Sequence, residues 1–524
     1  MIWDDEMTEW RSLQTKFADF FTSFGRGVAI ALLACWLTLG QAAIAATAPS
    51  IQPYLDRVIE NVTEFQLDNG LKFLVLERHQ APVVSFLTYA DVGGADEPDG
   101  QTGVAHFLEH LAFKGTSRIG TVNYQAEQPL LDRLDRLYSQ LRTARDRGNE
   151  GETAELQQAI AAAASEAKQF VKSNELGQIV EQAGGVGLNA ATSADATTYS
   201  YSFPSNKLEL WMSLESERFL DPVFREFETE KAVILEERRQ RTDNSPVGQL
   251  VEVFLDKAFS VHPYRRPTIG YESDIRNLTR QNVRDFFDTY YVPANLTIAI
   301  VGDVNPTEVQ RLAQTYFGRF PSAPKPKSVE AIEPPQQMSQ EVSLSLSSQP
   351  IYLEGYHCPS SSSPDAVVYE ILSSLLSDGR TSRLYSSLVE TQKIALTAQG
   401  FFGFPGDKYP TLMAFYGITA PGHTNDELAT ALRTEIDRFK TELVDVADLD
   451  RVKNQLRASV LRSLDSNSGM ARLLTEYEVK TGNWQNLFAT VDEIATVTPA
   501  DIQRVARATF RPENRTVGRV LPIR

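Results

Sequence analysis

The sequence predicts an α+β protein of two homologous α/β domains, each a mixed, mostly antiparallel sheet covered by helices. Three observations carry this. First, Ile275, Thr279, Val283, Tyr291, Pro293, Asn295 and Thr297 return at a constant offset of 219 as Ile494, Thr498, Ile502, Phe510, Pro512, Asn514 and Thr516. A gapless run of matches in kind marks a duplicated unit. Second, each copy ends in a helix, an aromatic-x-Pro-x-Asn-x-Thr turn and a β-rich segment, Leu296 to Val301 and Val517 to Leu521. Third, Phe320 to Gln337 carries Pro321, Pro324, Pro326, Pro334 and Pro335, as a semi-rigid linker between copies does. With 524 residues, 42% of them hydrophobic, the chain can bury two sizeable cores.

The elements follow in order. Residues 1–47 read as a targeting segment. An uncharged apolar run, Gly27 to Gly40, follows Arg26, and Ala43-Ile44-Ala45 has the small-x-small form of a signal-peptidase site. Leu32-Leu33-Ala34-Cys35 loosely resembles a lipoprotein box, and an uncleaved membrane anchor is the third reading, although the run is short for a span. Each of the three implies export, to a periplasmic or other extracytoplasmic location. Residues 48–320 form the first domain. Val62 to Leu76 is expected as a hairpin turned at Asp68-Asn69-Gly70, followed by a strand from Val83 to Tyr89. Thr102 to Gly115 is expected as a helix, capped by Thr102 and stopped by Gly115. From Glu127 to Arg147 the apolar positions keep helical spacing, Gly148 to Gly151 breaks the helix, and an alanine-rich helix runs on towards Val171. That is a helical hairpin inserted at about residues 125–172. After the linker (residues 321–340), the second domain (residues 341–524) is expected to be extended at Glu341–Leu353 and Thr411–Thr419. Helix Ala366–Leu376 lies between them.

The chemistry is concentrated in His106-Phe107-Leu108-Glu109-His110. At about 100° per residue, Val104, Phe107, Leu108 and Leu111 form one apolar stripe, and His106, Glu109 and His110 fall on the opposite side. Two histidines spaced i, i+4 can reach one metal while a glutamate between them touches its water. This H-x-x-E-H order is the inverted form of the H-E-x-x-H zinc protease motif. A closed structural zinc site wants four ligands, often cysteines, and this chain has only Cys35 and Cys358. An open, catalytic site is the better fit. The third protein ligand is sought in Glu230-Lys231-Ala232-Val233-Ile234-Leu235-Glu236-Glu237. Glu230 and Glu237 are two helical turns apart and share a face, so one can coordinate while the other supports a ligand. Glu236, about 100° around the helix, is the rival. His79, His262, His357 and His423 lack metal-ligand spacing. Arg380 and Arg383 suit either substrate carbonyls or helix capping. A net charge of −17 without a concentrated basic patch excludes a nucleic-acid partner.

Gly103-Val104-Ala105-His106-Phe107-Leu108-Glu109-His110-Leu111-Ala112-Phe113-Lys114-Gly115-Thr116 resembles the signature of the pitrilysin/insulinase family, which includes mitochondrial processing peptidase. Gly184-Gly185 and Leu188-Asn189-Ala190-Ala191-Thr192-Ser193 resemble its active-site strand, and Glu230 to Glu237 its distal glutamate segment. The resemblance covers roughly residues 60–524. It implies a zinc metalloendopeptidase acting on extended or unfolded peptides, with one Zn2+ per chain held by His106, His110 and Glu237. It makes Glu109 the general base, gives Glu230 a supporting acidic role, and puts Asn189 and Ala190 on the strand that pairs with substrate. It also implies that the two domains form half of a clamshell, and that the chain pairs as a homodimer or with a related subunit. A non-hydrolytic assembly subunit of this fold, or a catalytic half needing a zinc-free partner, are the alternatives. Glu237 lies 127 residues after His110, farther than is common in the family, and the helical insertion accounts for the excess. Matching Gly115 to Gly379 puts Glu370, Ser373 and Ser374 at the metal positions of the second copy. Only the first domain is then expected to bind zinc, the second walling the cleft. Taken as self-contained, the first domain should fold when the chain ends near Phe320.

Overall fold

Strands in the middle of each sheet are buried on both faces, whereas some nearer an edge alternate between a buried and an open face. β1 (Val62–Gln66) turns through Gly70, at φ +98°, into β2 (Lys72–Glu77), as the Asp-Asn-Gly signal predicts. β3 (Val83–Ala90), β4 (Val186–Thr192), β5 (Thr197–Pro204) and β6 (Leu296–Gly302) complete a six-stranded sheet of order β1-β2-β6-β3-β5-β4. Its β2–β6 pair is parallel and its other pairs antiparallel. In β5, Tyr199, Tyr201 and Phe203 turn inward while Thr198, Ser200 and Ser202 face the other side. The inward face meets helix Leu208–Leu220, whose Trp211 stacks on Phe86 with ring centroids 4.3 Å apart. Burying each such ring contributes about 2–3 kcal/mol. The computed structural model describes residues 52–523, so the readings made on residues 1–47 lie outside the described residues. Among those described, no helix is long and apolar enough to cross a membrane.

The second sheet contains β7 (Gln340–Leu346), β8 (Ile351–Cys358), β9 (Ala395–Phe404), β10 (Thr411–Thr419) and β11 (Arg515–Pro522), in the order β7-β11-β8-β10-β9. Its β7–β11 pair is parallel and the rest antiparallel. Without β1, the first sheet has this same order and these same directions. The duplication reaches individual bonds. Thr279 and Thr498 close capping boxes on helices Arg280–Tyr290 and Pro499–Thr509. Asn295 Nδ2 donates to the Tyr290 and Asp91 carbonyls, as Asn514 Nδ2 does to those of Thr509 and His357. The single extended stretch expected at Glu341–Leu353 is two strands. It breaks before Pro350, and β11 inserts between the parts.

The two halves exchange helices. Helix Pro246–Ala258 of the first half lays Leu250, Phe254 and Leu255 against Ile351, Leu353, Leu412 and Val520 of the second sheet. A Cβ at Gly355 would lie 2.8 Å from the Phe254 ring, so the approach requires glycine. In return, helix Asn467–Thr481 of the second half lies over β3 and β6 of the first sheet, with Asn467 Nδ2 donating to the Val83 carbonyl at 3.3 Å. The expectation that a chain ending near Phe320 folds by itself is therefore corrected: its sheet would lose the helix covering one face. The proline-rich segment is not a free spacer. Glu333 accepts from the amides of Ser260, Val261 and His262, and Lys325 pairs with Asp91 at 2.8 Å.

The insertion is a hairpin of helices Tyr124–Asp146 and Glu150–Lys168, capped by Asn123 and Asn149. Gly148, at φ +66°, ends the first helix, and Glu150 starts the second instead of belonging to the break. At its base the buried Arg225 guanidinium pairs with Glu127 at 2.9 Å and also binds the carbonyls of Thr116 and Ile119.

Candidate metal centre

The motif helix is Val104–Leu111, shorter at both ends than expected. Thr102 is not its cap. Its hydroxyl donates to Asp274 Oδ2 and accepts from the Tyr271 amide. Gly103 holds the N-cap position at φ +87°, where a Cβ would meet the Ile269 carbonyl at 2.7 Å. The free amides of Gly103 and Ala105 are instead satisfied by the buried Glu97 carboxylate, each at 2.9 Å. Val104, Phe107, Leu108 and Leu111 are buried as their spacing predicts. Phe107 stacks on Phe227, with centroids 4.7 Å apart, at the start of helix Phe227–Arg238. That contact sets the second helix, and with it Glu230 and Glu237, against the motif.

His106 Nε2 lies 3.6 Å from Glu237 Oε1, and His110 Nε2 lies 3.6 Å from Glu237 Oε2. These separations are long for hydrogen bonds. They suit two ligands sharing a tetrahedral ion, whose arms of about 2.0–2.1 Å put donor atoms roughly 3.3 Å apart. The three donor atoms lie within 4.8 Å of one another, and no second such group of His, Cys, Asp and Glu occurs among the described residues. Burial, with His110 and Arg241 beside it, holds the His106 imidazole well below its usual range, in the neutral form that ligates. Burial also opposes charge on His110, but the Glu230 contact and the carboxylates of Glu109 and Glu237 outweigh it and raise its pKa. Glu230 Oε2 stands 3.4 Å from His110 Nδ1, on the ring nitrogen turned away from Glu237. Burial would raise Glu230, but His110 and Lys114, the latter 2.5 Å away, hold it below the usual carboxylate range. Glu236 stands apart, exposed and paired with Arg239 and Gln240.

Glu109 is half-buried and accepts a hydrogen bond from the Thr192 hydroxyl at the end of β4. β4 is the outer strand of its sheet, with Asn189 exposed and Ala190 packed on the core. The arrangement thus brings two imidazoles, a bidentate-capable carboxylate and a separate carboxylate together beside a sheet edge. Sequence reasoning assigned no role to Glu97, Thr192, Lys114 or Arg241. Lys114 was within reach, four residues beyond His110 on the same face, and Arg241 likewise, one turn past Glu237 and 2.5 Å from it. In the second half, helix Ala366–Ser377 packs on edge strand β9 and on helix Pro499–Thr509, as the motif helix packs on β4 and on Arg280–Tyr290. It offers Glu370, Ser373 and Ser374 there, and Ser373 Oγ donates to the Gly400 carbonyl. Arg383 stacks over Phe439 at 4.2 Å, so it packs the second core.

The family model "Insulinase (Peptidase family M16)" matches residues 72–128 and 162–272, and the interruption falls inside the helical hairpin. The model "Peptidase M16 inactive domain" matches residues 277–456. Zinc protease PqqE of Helicobacter pylori is 28% identical over 478 residues, spanning 89% of this chain and 93% of the relative. The probable mitochondrial-processing peptidase subunit beta of Arabidopsis thaliana is 24% identical over 475 residues, 87% of this chain and 78% of the relative. The crystal structure of a protease from Helicobacter pylori superposes with a TM-score of 0.73 at 26% identity, covering 88% of this chain and 99% of that one. With two models of one family together matching residues 72–128, 162–272 and 277–456, and with similar proteins aligned along most of its length, the chain belongs to the insulinase family of peptidases, M16.

Proposed function

We propose that this protein is a zinc-dependent metalloendopeptidase that hydrolyses extended or unfolded peptides, with one zinc per chain on His106, His110 and Glu237. The observation that carries the reading is the spacing of those three donors with a second carboxylate, Glu109, next to them. Zinc, when bound, acidifies water and polarises a carbonyl. Glu109 takes the proton released and returns it to the leaving amine, a transfer that suits a carboxylate oriented by the Thr192 hydroxyl. Glu230 holds His110 through Nδ1, which fixes the ring and leaves Nε2 to ligate. Peptide joins β4 at Asn189 and Ala190 as a further strand, so chains already folded are excluded. The second half supplies the facing wall and no ligands. Residues 1–47 direct export to a periplasmic or extracytoplasmic site, as a cleaved signal, a segment lipidated at Cys35 or an uncleaved anchor, and the chain pairs as a homodimer or with a related subunit.

The test is hydrolysis of a quenched, unstructured peptide by the purified protein. Cleavage that stops with a chelator and returns with zinc supports the reading. Cleavage indifferent to chelation contradicts it. A zinc-loaded protein that cleaves nothing would favour the non-hydrolytic assembly subunit, unless a related zinc-free subunit restores activity.

A further inference from the structure

A cavity of about 610 Å3 lies between the halves, on the face of the first sheet opposite the aromatic core. Its floor includes Ser85 of β3 and Ser202 of β5, whose hydroxyls are bonded at 2.8 Å. Its far wall comes from helices Val446–Asp465 and Asn467–Thr481 and includes Arg462 and Arg472. Its rim includes Gly187, near the start of edge strand β4. The lining holds seven serines and two arginines and no acidic residue, in a chain of net charge −17. Arg472 is matched by Glu476 at 3.0 Å. Arg462 is exposed at the cavity and makes no hydrogen bond or ion pair among the described residues. Ser466 caps the 15-residue helix at the cavity, which adds the positive end of its dipole. A basic, hydroxyl-rich cavity in an acidic protein is matched to an anion, and an unpaired guanidinium to a carboxylate.

We propose that this cavity is a subsite for the C-terminal carboxylate of the peptide lying along β4. The proposal rests on the peptidase reading and gives it a direction. Glu109 meets β4 at Thr192, whereas the cavity borders the same strand at Gly187, five residues earlier and roughly 16 Å away at 3.3 Å per residue. A peptide running antiparallel to β4 carries its C-terminal side from Thr192 towards Gly187. Its terminal carboxylate then arrives about five residues past the scissile bond. The β4–β5 register shifts between Val186 and Asn189, and Gly187 sits at φ +65° with no heavy atom within 4 Å of where a Cβ would be. The strand is therefore open where the chain must turn in.

Binding is measured on the Glu109→Gln protein, so the result does not depend on turnover. Three labelled peptides are compared: a free C-terminal acid, the amide of the same sequence, and that amide with its last residue replaced by glutamate. The free acid is expected to bind about tenfold more tightly than the simple amide, as one charge-assisted contact provides. Arg462→Ala should bring the free acid down to the amide, and Arg462→Lys should keep part of the difference. Equal affinities for acid and amide, or a preference that survives Arg462→Ala, would overturn the proposal. Tight binding of the glutamate amide alone would move the recognised group to an acidic side chain and overturn the terminal assignment. Failure of the wild-type protein to hydrolyse any peptide, alone or with a related zinc-free subunit, would refute the peptidase reading, not this binding difference.

Discussion

Glu230, Glu236 and Glu237 are three carboxylates within eight residues, and the helix sorts them into different tasks. Glu237 faces both Nε2 atoms, Glu230 faces His110 Nδ1 and Lys114, and Glu236 faces solvent and Arg239. Removing a ligand costs more than removing the group that orients one, so zinc retention after dialysis should follow a fixed order. Glu237→Gln should lose most of the metal. Glu230→Gln should weaken zinc affinity by about 10–100-fold. Glu236→Gln should change it by less than about twofold, as an exposed ion pair does. Greatest sensitivity at Glu236 would shift the ligand register by one residue. That Glu230 and Glu237 share a face was legible in the sequence, because a seven-residue spacing on a helix fixes a face whatever the tertiary surroundings; which of the two ligates was implied only by the family resemblance. Glu97 was not legible. Its partners are backbone amides six and eight residues on, and only the left-handed turn at Gly103 brings them within its reach.

Glu97 acts on a whole element, the motif helix. Burial pushes its carboxyl up to about 8, against the hydrogen bonds from the Ala105 and Gly103 amides, which favour ionisation. The folded chain thus holds this proton more tightly than the unfolded chain does. The contribution of Glu97 to stability is greatest below the ordinary carboxylate value of 4.5 and declines as pH rises to about 8. Glu97→Gln removes that titration. The unfolding free energy of wild type relative to the variant should therefore fall across this window and level off above it. A difference independent of pH in chemical denaturation would contradict the assignment. Other elements were read with uneven success. The helical hairpin showed itself by its own periodicity. The Glu341–Leu353 stretch was read only as extended: the polar run Ser347-Ser348-Gln349 before Pro350 interrupts its alternation, but nothing local reveals that β11 comes between the two strands. The Thr102 cap was misplaced because Asp274, 172 residues away, competes for its hydroxyl.

Across the molecule, the repeat reported two sheets but not their interdependence. Helices Pro246–Ala258 and Asn467–Thr481 are each amphipathic for a sheet in the other half, and a sequence pattern gives the apolar stripe without naming what it covers. A chain ending at Phe320 would bare Leu250 and Phe254 and uncover β3 and β6. It should be recovered in insoluble form, and co-expression with residues 321–524 should restore a soluble complex. A soluble, monomeric, zinc-binding first half would show that the exchanged helices are dispensable. The central claim is that this first half holds a hydrolytic metal site in which Glu109 works on the proton and not on the metal. The most direct measurement is zinc content alongside peptide hydrolysis for wild type and Glu109→Gln. Both proteins should carry about one zinc per chain while the variant loses about 10³-fold in kcat. A variant that loses its zinc, or one that still cleaves at the wild-type rate, would contradict it.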